Sequence, residues 1–327
     1  MADPDDTLAV GVLGVGSMGA QHARVYDELP ATRLVGVADA DPDRAATVAG
    51  RHGVAAMPRA ELLAAVDAVS VAAPDRYHDE LAGAAIDAGV HVLVEKPFVV
   101  DPADGEALIE RADDAGLVLQ VGHVERFNPV VRTLSDVLAD TEVIAVAADR
   151  LGPPVARDVD DNVVRDLMIH DIDVVRSLLG ADVRTVQAIH AGEDPHVTAL
   201  CSFDDGTTAR LTASRVTQKK VRQLVVTTPD ARVEADYLAG TVEIHRRSVP
   251  EYVAEGGDVR YRHEGVVERP AVGSEEPLRE ELAAFAEAVR TGSTPAVTGE
   301  DGLAALSVAT RIDAALGRPT AVPGVSR

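Results

Sequence analysis

Short apolar runs alternate with Ala-rich amphipathic stretches through the first 120 residues. Leu8–Leu13 has the pattern of a buried strand, and a helix follows from about Met18 to Leu29. Arg33–Ala38 and Pro42–His52 repeat the pair, and Ala68–Ala73 is apolar on both sides, as a central strand of a parallel sheet must be. A helix over Asp79–Ala88 ends at Gly89, Val90–Val94 is the next strand, and a helix over Pro102–Ala115 leads into Leu117–Val121. Strands separated by helix-length segments predict a doubly wound parallel sheet with crossover helices.

Beyond Gly122 the period changes. One helical segment, about Val163–Leu179, precedes β-rich runs at Val183–His190, Val197–Phe203, Thr207–Ser214, Val221–Thr228 and Thr241–Arg246. Asp204-Asp205-Gly206 and Ala239-Gly240 supply turn residues. The expectation is a second domain, residues 123–327, built on a large and mainly antiparallel sheet after a nucleotide-binding domain of residues 1–122. Two helices close the chain: Leu278–Arg290, and one beginning at Thr298, where Thr298 and Asp301 make a capping-box pattern, and ending near Gly317. Glu251–Gly273 is polar and Gly-containing, and is expected to be the most mobile stretch.

Composition narrows the function classes. Of 327 residues, 54 are acidic and 31 basic, a formal net charge of -23, and only Lys96, Lys219 and Lys220 are lysines. Such a surface repels phosphate backbones and anionic headgroups, which speaks against nucleic-acid or membrane partners. Hydrophobic residues at 46% nevertheless supply a core, without Trp and with one cysteine, Cys201. The acidic start, Met1–Thr7, has no basic region followed by an apolar run, so a cytoplasmic protein is expected. Adaptation to high salt explains acidity with few lysines; a GC-rich genome is the alternative.

Gly14-Val15-Gly16-Ser17-Met18-Gly19 follows the first strand and opens the first helix. In that context G-x-G-x-x-G cradles a dinucleotide pyrophosphate: Gly14 for the turn, Gly16 for close approach, Gly19 for helix packing. Asp39, twenty residues after Gly19, can accept ribose hydroxyls and would repel a 2′-phosphate. NAD is therefore favoured over NADP, although Arg44 keeps NADP open.

Glu95-Lys96-Pro97 follows the strand Val90–Val94, at the sheet edge where doubly wound folds bind ligands. An ammonium there lowers the cost of developing alkoxide. Asp166 and His170 are spaced i, i+4 on a helix, so a carboxylate and an imidazole share one face, suited to removing a hydroxyl proton. Two metal sets remain open, Asp166 with His170, or His170 with Asp171 and Asp173. No second His cluster stands at ligand spacing, so no metal is expected.

In order and spacing, Gly14–Gly19, Asp39, Glu95-Lys96-Pro97 and Asp166…His170, with Pro74…His78, resemble the Gfo/Idh/MocA oxidoreductases. The resemblance implies a Rossmann domain followed by an α/β domain with an open sheet that mediates oligomerisation, as a homodimer or homotetramer. It implies metal-free hydride transfer at a sugar or cyclitol carbon, with Lys96, Asp166 and His170 catalytic. Cofactor contacts are implied at Gly14, Gly16, Ser17, Met18, Gly19, Asp39, Arg44, Ala73, Pro74, His78, Glu95 and Lys96. Residues 122–129 and 166–173 resemble the nucleotide-sugar branch, which includes UDP-N-acetylglucosamine 3-dehydrogenases and related UDP-uronate enzymes, and oxidation at C3 of a UDP-N-acetyl-amino sugar is the reaction expected. Arg126, Asn128 and Arg150 are then candidates for diphosphate or sugar contacts, or else surface arginines and a turn Asn before Pro129. A free-sugar or inositol dehydrogenase, and a dinucleotide sensor without turnover, are the competing functions.

Overall fold

In the computed structural model, which describes residues 7–154, 162–192, 195–247, 251–255, 258–262 and 265–318, the apolar runs at the start become parallel strands. The acidic stretch Met1–Asp6 lies outside the described residues. The elements run β1 (Leu8–Leu13), α1 (Ser17–Glu28), β2 (Thr32–Ala38), α2 (Pro42–His52), β3 (Ala55–Ala56), α3 (Arg59–Leu63), β4 (Ala68–Val71), α4 (His78–Asp87), β5 (His91–Glu95), α5 (Pro102–Asp114) and β6 (Leu119–Gly122). Strand order is β3-β2-β1-β4-β5-β6, so the winding direction reverses between β1 and β4. Ligands of doubly wound sheets bind outside the strand ends at that reversal. Local chemistry starts the helices: Asp41 accepts the N–H groups of Asp43 and Arg44 ahead of α2, and Asp101 that of Ala103 ahead of α5. The sheet is apolar on both faces. Val10, Val12 and Leu93 pack toward Tyr26 on one side, and Val69, Val71 and Val94 toward Ile86 and Phe98 on the other.

The second sheet carries eight strands. After α6 (Pro129–Leu138) come β7 (Ala145–Leu151), a π-helical turn over Val164–Met168, and α7 (Ile169–Leu179). Then follow β8 (Val183–Ala191), β9 (His196–Phe203), β10 (Thr208–Ser214), β11 (Val221–Thr227), β12 (Ala231–Asp236), β13 (Thr241–Arg247), β14 (Glu251–Glu255), β15 (Asp258–Arg262) and β16 (Gly265–Glu268). The order β16-β13-β12-β11-β7-β10-β9-β8 is antiparallel throughout except between β7 and β10. Gly206 and Gly240, at φ 92° and 66°, make the two expected turns. Within the stretch expected to be most mobile, β14 and β15 pair with each other and β16 lines up on β13.

The chain closes with α8 (Pro277–Thr291) and α9 (Gly299–Ala315). Thr298 and Asp301 form the expected reciprocal box, with Asp301 N–H on Thr298 Oγ1 at 3.3 Å and Thr298 N–H on Asp301 Oδ2 at 3.2 Å. Of the described residues, one compact unit takes those up to Phe127 together with Glu275–Ser307, and the other takes those within Asn128–Ser274 with Val308–Arg318. The units thus differ from a single division after Gly122. Leu278, Leu282 and Phe285 of α8 pack into the core on the side of the sheet that carries α1.

Candidate active site

Gly14 adopts φ 83°, and a Cβ there would lie 2.7 Å from the backbone of Ala73. At Gly19 a Cβ would fall 1.8 Å from the carbonyl oxygen of Gly14, so only glycine lets α1 start this close to the turn. Gly16 differs, since a Cβ there would meet nothing within 4 Å. No side chain caps α1, which leaves its first N–H groups directed at this space beside exposed Ser17 and half-buried Met18. An open position over an uncapped helix start fits a pyrophosphate.

The space continues into a cavity of about 770 Å³ lined by Gly14, Gly16, Asp39, Arg44, Met57 and Tyr77, among others. Ala73 and Pro74 also line it. Asp39 follows β2 directly; its Oδ2 accepts Val15 N–H at 2.7 Å, and its Oδ1 accepts Asp41 N–H at 2.9 Å and Arg44 Nη1 at 3.3 Å. The carboxylate is thereby fixed at the wall beside the glycine turn. Two arginines that sequence reasoning did not single out stand on the same wall: Arg59, bonded to Glu80, and Arg76, whose guanidinium lies 4.9 Å from the Tyr77 ring centre.

Two residues expected to contact the cofactor, Glu95 and His78, are buried and bonded within the protein. Glu95 is the last residue of β5, and strand alternation turns it inward, where it is buried against His22 Nε2 at 2.9 Å. Its second oxygen accepts Lys96 N–H at 3.2 Å. Burial pushes the Glu95 carboxyl up, but the His22 bond and charge, the Lys96 ammonium and the Lys96 N–H outweigh it and hold it below the ordinary value. His78 is also buried, its Nδ1 2.9 Å from Pro97 O and its Nε2 2.8 Å from Ala73 O. It ties the segment after Lys96 to the segment lining the cavity. Lys96 itself is half-buried just beyond β5.

In the second unit, the expected α-helix begins as a π turn. Ile169 N–H reaches Val164 O five residues back, and such turns recur at functional sites. Asn162 Oδ1 caps the turn by accepting Val164 and Arg165 N–H at 2.9 and 3.1 Å. Buried Asp313 receives Asn162 Nδ2 and Arg165 Nε, both at 3.2 Å, and Arg318 Nη1 at 2.7 Å. Asp166 and His170 stand at the turn and the first residues of α7, both half-buried. Asp166 pairs with Arg215, just past β10, a partner the sequence did not disclose.

The proposed substrate contacts have duties within the protein. Arg150, on the buried face of β7, makes a fork on Asp171 with Nε and Nη2 at 2.9 and 2.8 Å, so it is not a surface arginine. The same bond engages Asp171, one of the residues in the second metal set. Arg126 holds Asp301 at 3.0 Å, and Asn128 Oδ1 caps α6 through Val130 N–H at 3.0 Å. No group of three or more His, Cys, Asp or Glu placed to hold a metal ion occurs among the described residues.

Residues 8–123 match the family described as "Oxidoreductase family, NAD-binding Rossmann fold", and residues 131–234 match the "GFO/IDH/MocA C-terminal domain". The chain is 37% identical over 245 residues to UDP-N-acetylglucosamine 3-dehydrogenase of Acidithiobacillus ferrooxidans, covering 73% of this chain and 77% of that protein. It is 29% identical over 325 residues to inositol 2-dehydrogenase of Rhizobium meliloti, covering 93% and 95%. The crystal structure of the UDP-N-acetylglucosamine 3-dehydrogenase GnnA from Acidithiobacillus ferrooxidans superposes with a TM-score of 0.87 at 32% identity, over 95% of this chain and 97% of that one. This chain belongs to the GFO/IDH/MocA oxidoreductase family. As a member it has an NAD(P)-binding Rossmann domain and is an NAD(P)-dependent dehydrogenase acting on CH–OH groups. No described helix is long and apolar enough to cross a membrane.

Two side-chain partners carried little signal in the sequence: His22 for Glu95, and Arg215 for Asp166. A faint signal existed for His22. It sits three residues after Gly19, one turn into α1 and on the face that the glycine packs against the sheet. Arg215 follows a strand and carried no signal.

Proposed function

We propose that this chain oxidises the C3 hydroxyl of a UDP-N-acetyl-amino sugar to a 3-keto sugar, with NAD as its cofactor. The observation that carries the substrate is the 37% identity over 245 residues to a UDP-N-acetylglucosamine 3-dehydrogenase, supported by the TM-score of 0.87 to GnnA. NAD is preferred because the fixed Asp39 carboxylate would face a 2′-phosphate, and Arg44 is already bonded to it.

In this reading His170 takes the hydroxyl proton, a role suited to imidazole near neutrality. Asp166, held by Arg215, keeps a negative charge beside the imidazolium that forms. Lys96 offers its ammonium to the oxygen as alkoxide character develops. A bound nicotinamide dinucleotide supplies the hydride acceptor. Binding works against the overall charge of -23, so local amides and the few placed cations must hold anionic ligands. We further propose a homodimer or homotetramer formed through the open face of the eight-stranded sheet, where Ile189 and Leu200 are 72% and 53% exposed.

A second reading, an inositol or free-sugar dehydrogenase, is supported by the near full-length match to inositol 2-dehydrogenase. Initial rates of NADH formation with UDP-N-acetylglucosamine, its uronate, myo-inositol and D-xylose separate the two. The proposal expects turnover with the UDP-sugars. Turnover with inositol or xylose alone overturns it, and NAD binding with no turnover on any substrate favours a sensor.

A further inference from the structure

We propose that His22 and Glu95 are positioning residues: a buried pair that locks Lys96 and the phosphate-facing helix α1 into one fixed relation. The inference rests on the reading of Lys96 as a catalytic residue.

Glu95 joins two elements with its two oxygens. Oε1 accepts from His22 Nε2 at 2.9 Å, and Oε2 accepts from Lys96 N–H at 3.2 Å. An ionised carboxylate only accepts, so the ring proton sits on Nε2. His22 lies in α1, whose first turn faces the pyrophosphate space, while Lys96 lies at the end of β5. The pair therefore ties the segment that holds the cofactor to the segment that carries the ammonium. The ring is itself held: it stands edge-on to Tyr26, centroids 6.4 Å apart at 72°, and the Tyr26 hydroxyl is 2.8 Å from Ser70 Oγ on β4. On the far side, a Cβ at Gly122 would lie 3.1 Å from Glu95 Cα and 3.2 Å from its Oε2, so glycine lets β6 close against the carboxylate.

Stability alone does not account for this arrangement. Burying an ion or ion pair costs solvation, and apolar side chains of equal volume are commonly as stable. Here His22 is fully buried, and its Nδ1 has no hydrogen-bond partner among the described residues. What the pair adds is a fixed main chain at Lys96 and a negative charge that interacts with its ammonium, which apolar filling would not provide.

The scarcity of lysine makes the test direct. Reductive ¹³C-methylation of the whole protein labels Lys96, Lys219, Lys220 and the N-terminal amine, and Lys96→Arg identifies the Lys96 signal. Glu95→Gln and His22→Leu should move the Lys96 signal and leave Lys219 and Lys220 in place. His22→Gln, whose amide can donate from nearly the same point, should return it toward the wild-type position. With NAD and UDP-N-acetylglucosamine as probes, Glu95→Gln should lower kcat at least 10-fold while the NAD dissociation constant stays within twofold. On a Lys96→Met background the same substitution should cost nothing further. A Lys96 signal unmoved in folded His22→Leu and Glu95→Gln overturns the proposal, as does an additive loss on the Lys96→Met background. Should Glu95→Gln not fold, the comparison of His22→Leu with His22→Gln decides alone. Turnover retained in Lys96→Met would instead remove the catalytic reading of Lys96, and the methyl signals would still report whether the pair orients it.

Discussion

Arg150 and Asp171 close a two-point fork, Nε to Oδ2 at 2.9 Å and Nη2 to Oδ1 at 2.8 Å, with both side chains buried. Two parallel charge-assisted bonds fix the plane of both groups and tie β7 to α7, the helix that carries His170. Removing Arg150 takes both bonds of the fork from a carboxylate that is buried away from water. Arg150→Ala should therefore lower unfolding stability by about 3–5 kcal/mol, read by urea denaturation. Arg150→Met combined with Asp171→Leu should recover most of that loss. If Arg150→Ala unfolds like the wild type, the fork is not a structural tie.

Arg215 is the partner of Asp166, and both are partly open to solvent, with side chains 17% and 19% exposed. Arg215→Gln should leave the melting temperature nearly unchanged. Misplacing Asp166 at the reacting centre should lower kcat by about 10- to 100-fold, which is about 1.4–2.7 kcal/mol of barrier. Steady-state kinetics alongside a thermal melt separate the two effects, and an unchanged kcat would detach Arg215 from the chemistry.

The three glycines of the phosphate turn should respond differently to alanine. Gly16→Ala adds a methyl into open space, so the fold should persist while the methyl blocks the pyrophosphate. The NAD dissociation constant should rise at least 10-fold with an unchanged melting temperature. Gly19→Ala, whose Cβ would fall 1.8 Å from Gly14 O, should lose stability as well. Calorimetric titration of both variants checks the contrast.

The Glu95 carboxyl is held below its ordinary value of 4.5, because His22 and Lys96 outweigh burial. A carboxyl depressed on folding contributes stability that is complete above the ordinary value and is lost as pH falls through the folded one. Melting temperatures measured from pH 7 down to pH 3 should therefore fall more steeply below 4.5 in the wild type than in Glu95→Gln. Parallel curves would remove Glu95 from the acid response.

The parallel sheet was legible because its strands are buried on both faces, which writes continuous apolar runs such as Val90–Val94 into the sequence. The phosphate turn was legible because glycines are demanded at fixed intervals. α6 was overlooked although Asn128 and Pro129 mark its start, and β12 because its alternation of Val and Ala with charged residues is weak. The inward turn of Glu95 was not legible because Glu95 and Lys96 were read together as one motif, whereas strand alternation sends neighbours to opposite faces. The fork of Arg150 on Asp171 was hidden because the two residues lie 21 positions apart. His22 and Arg215 were hidden by distance in the chain, since their partners lie 73 and 49 positions away.

The central claim is oxidation at C3 of a UDP-amino sugar, and the fate of one hydrogen tests it most directly. UDP-N-acetylglucosamine deuterated at C3 should be incubated with NAD and the enzyme, and the reduced cofactor analysed by mass spectrometry. The account predicts reduced cofactor that carries the deuterium, and a 3-keto sugar that has lost it. Reduced cofactor without deuterium, or none formed while myo-inositol turns over, would contradict it.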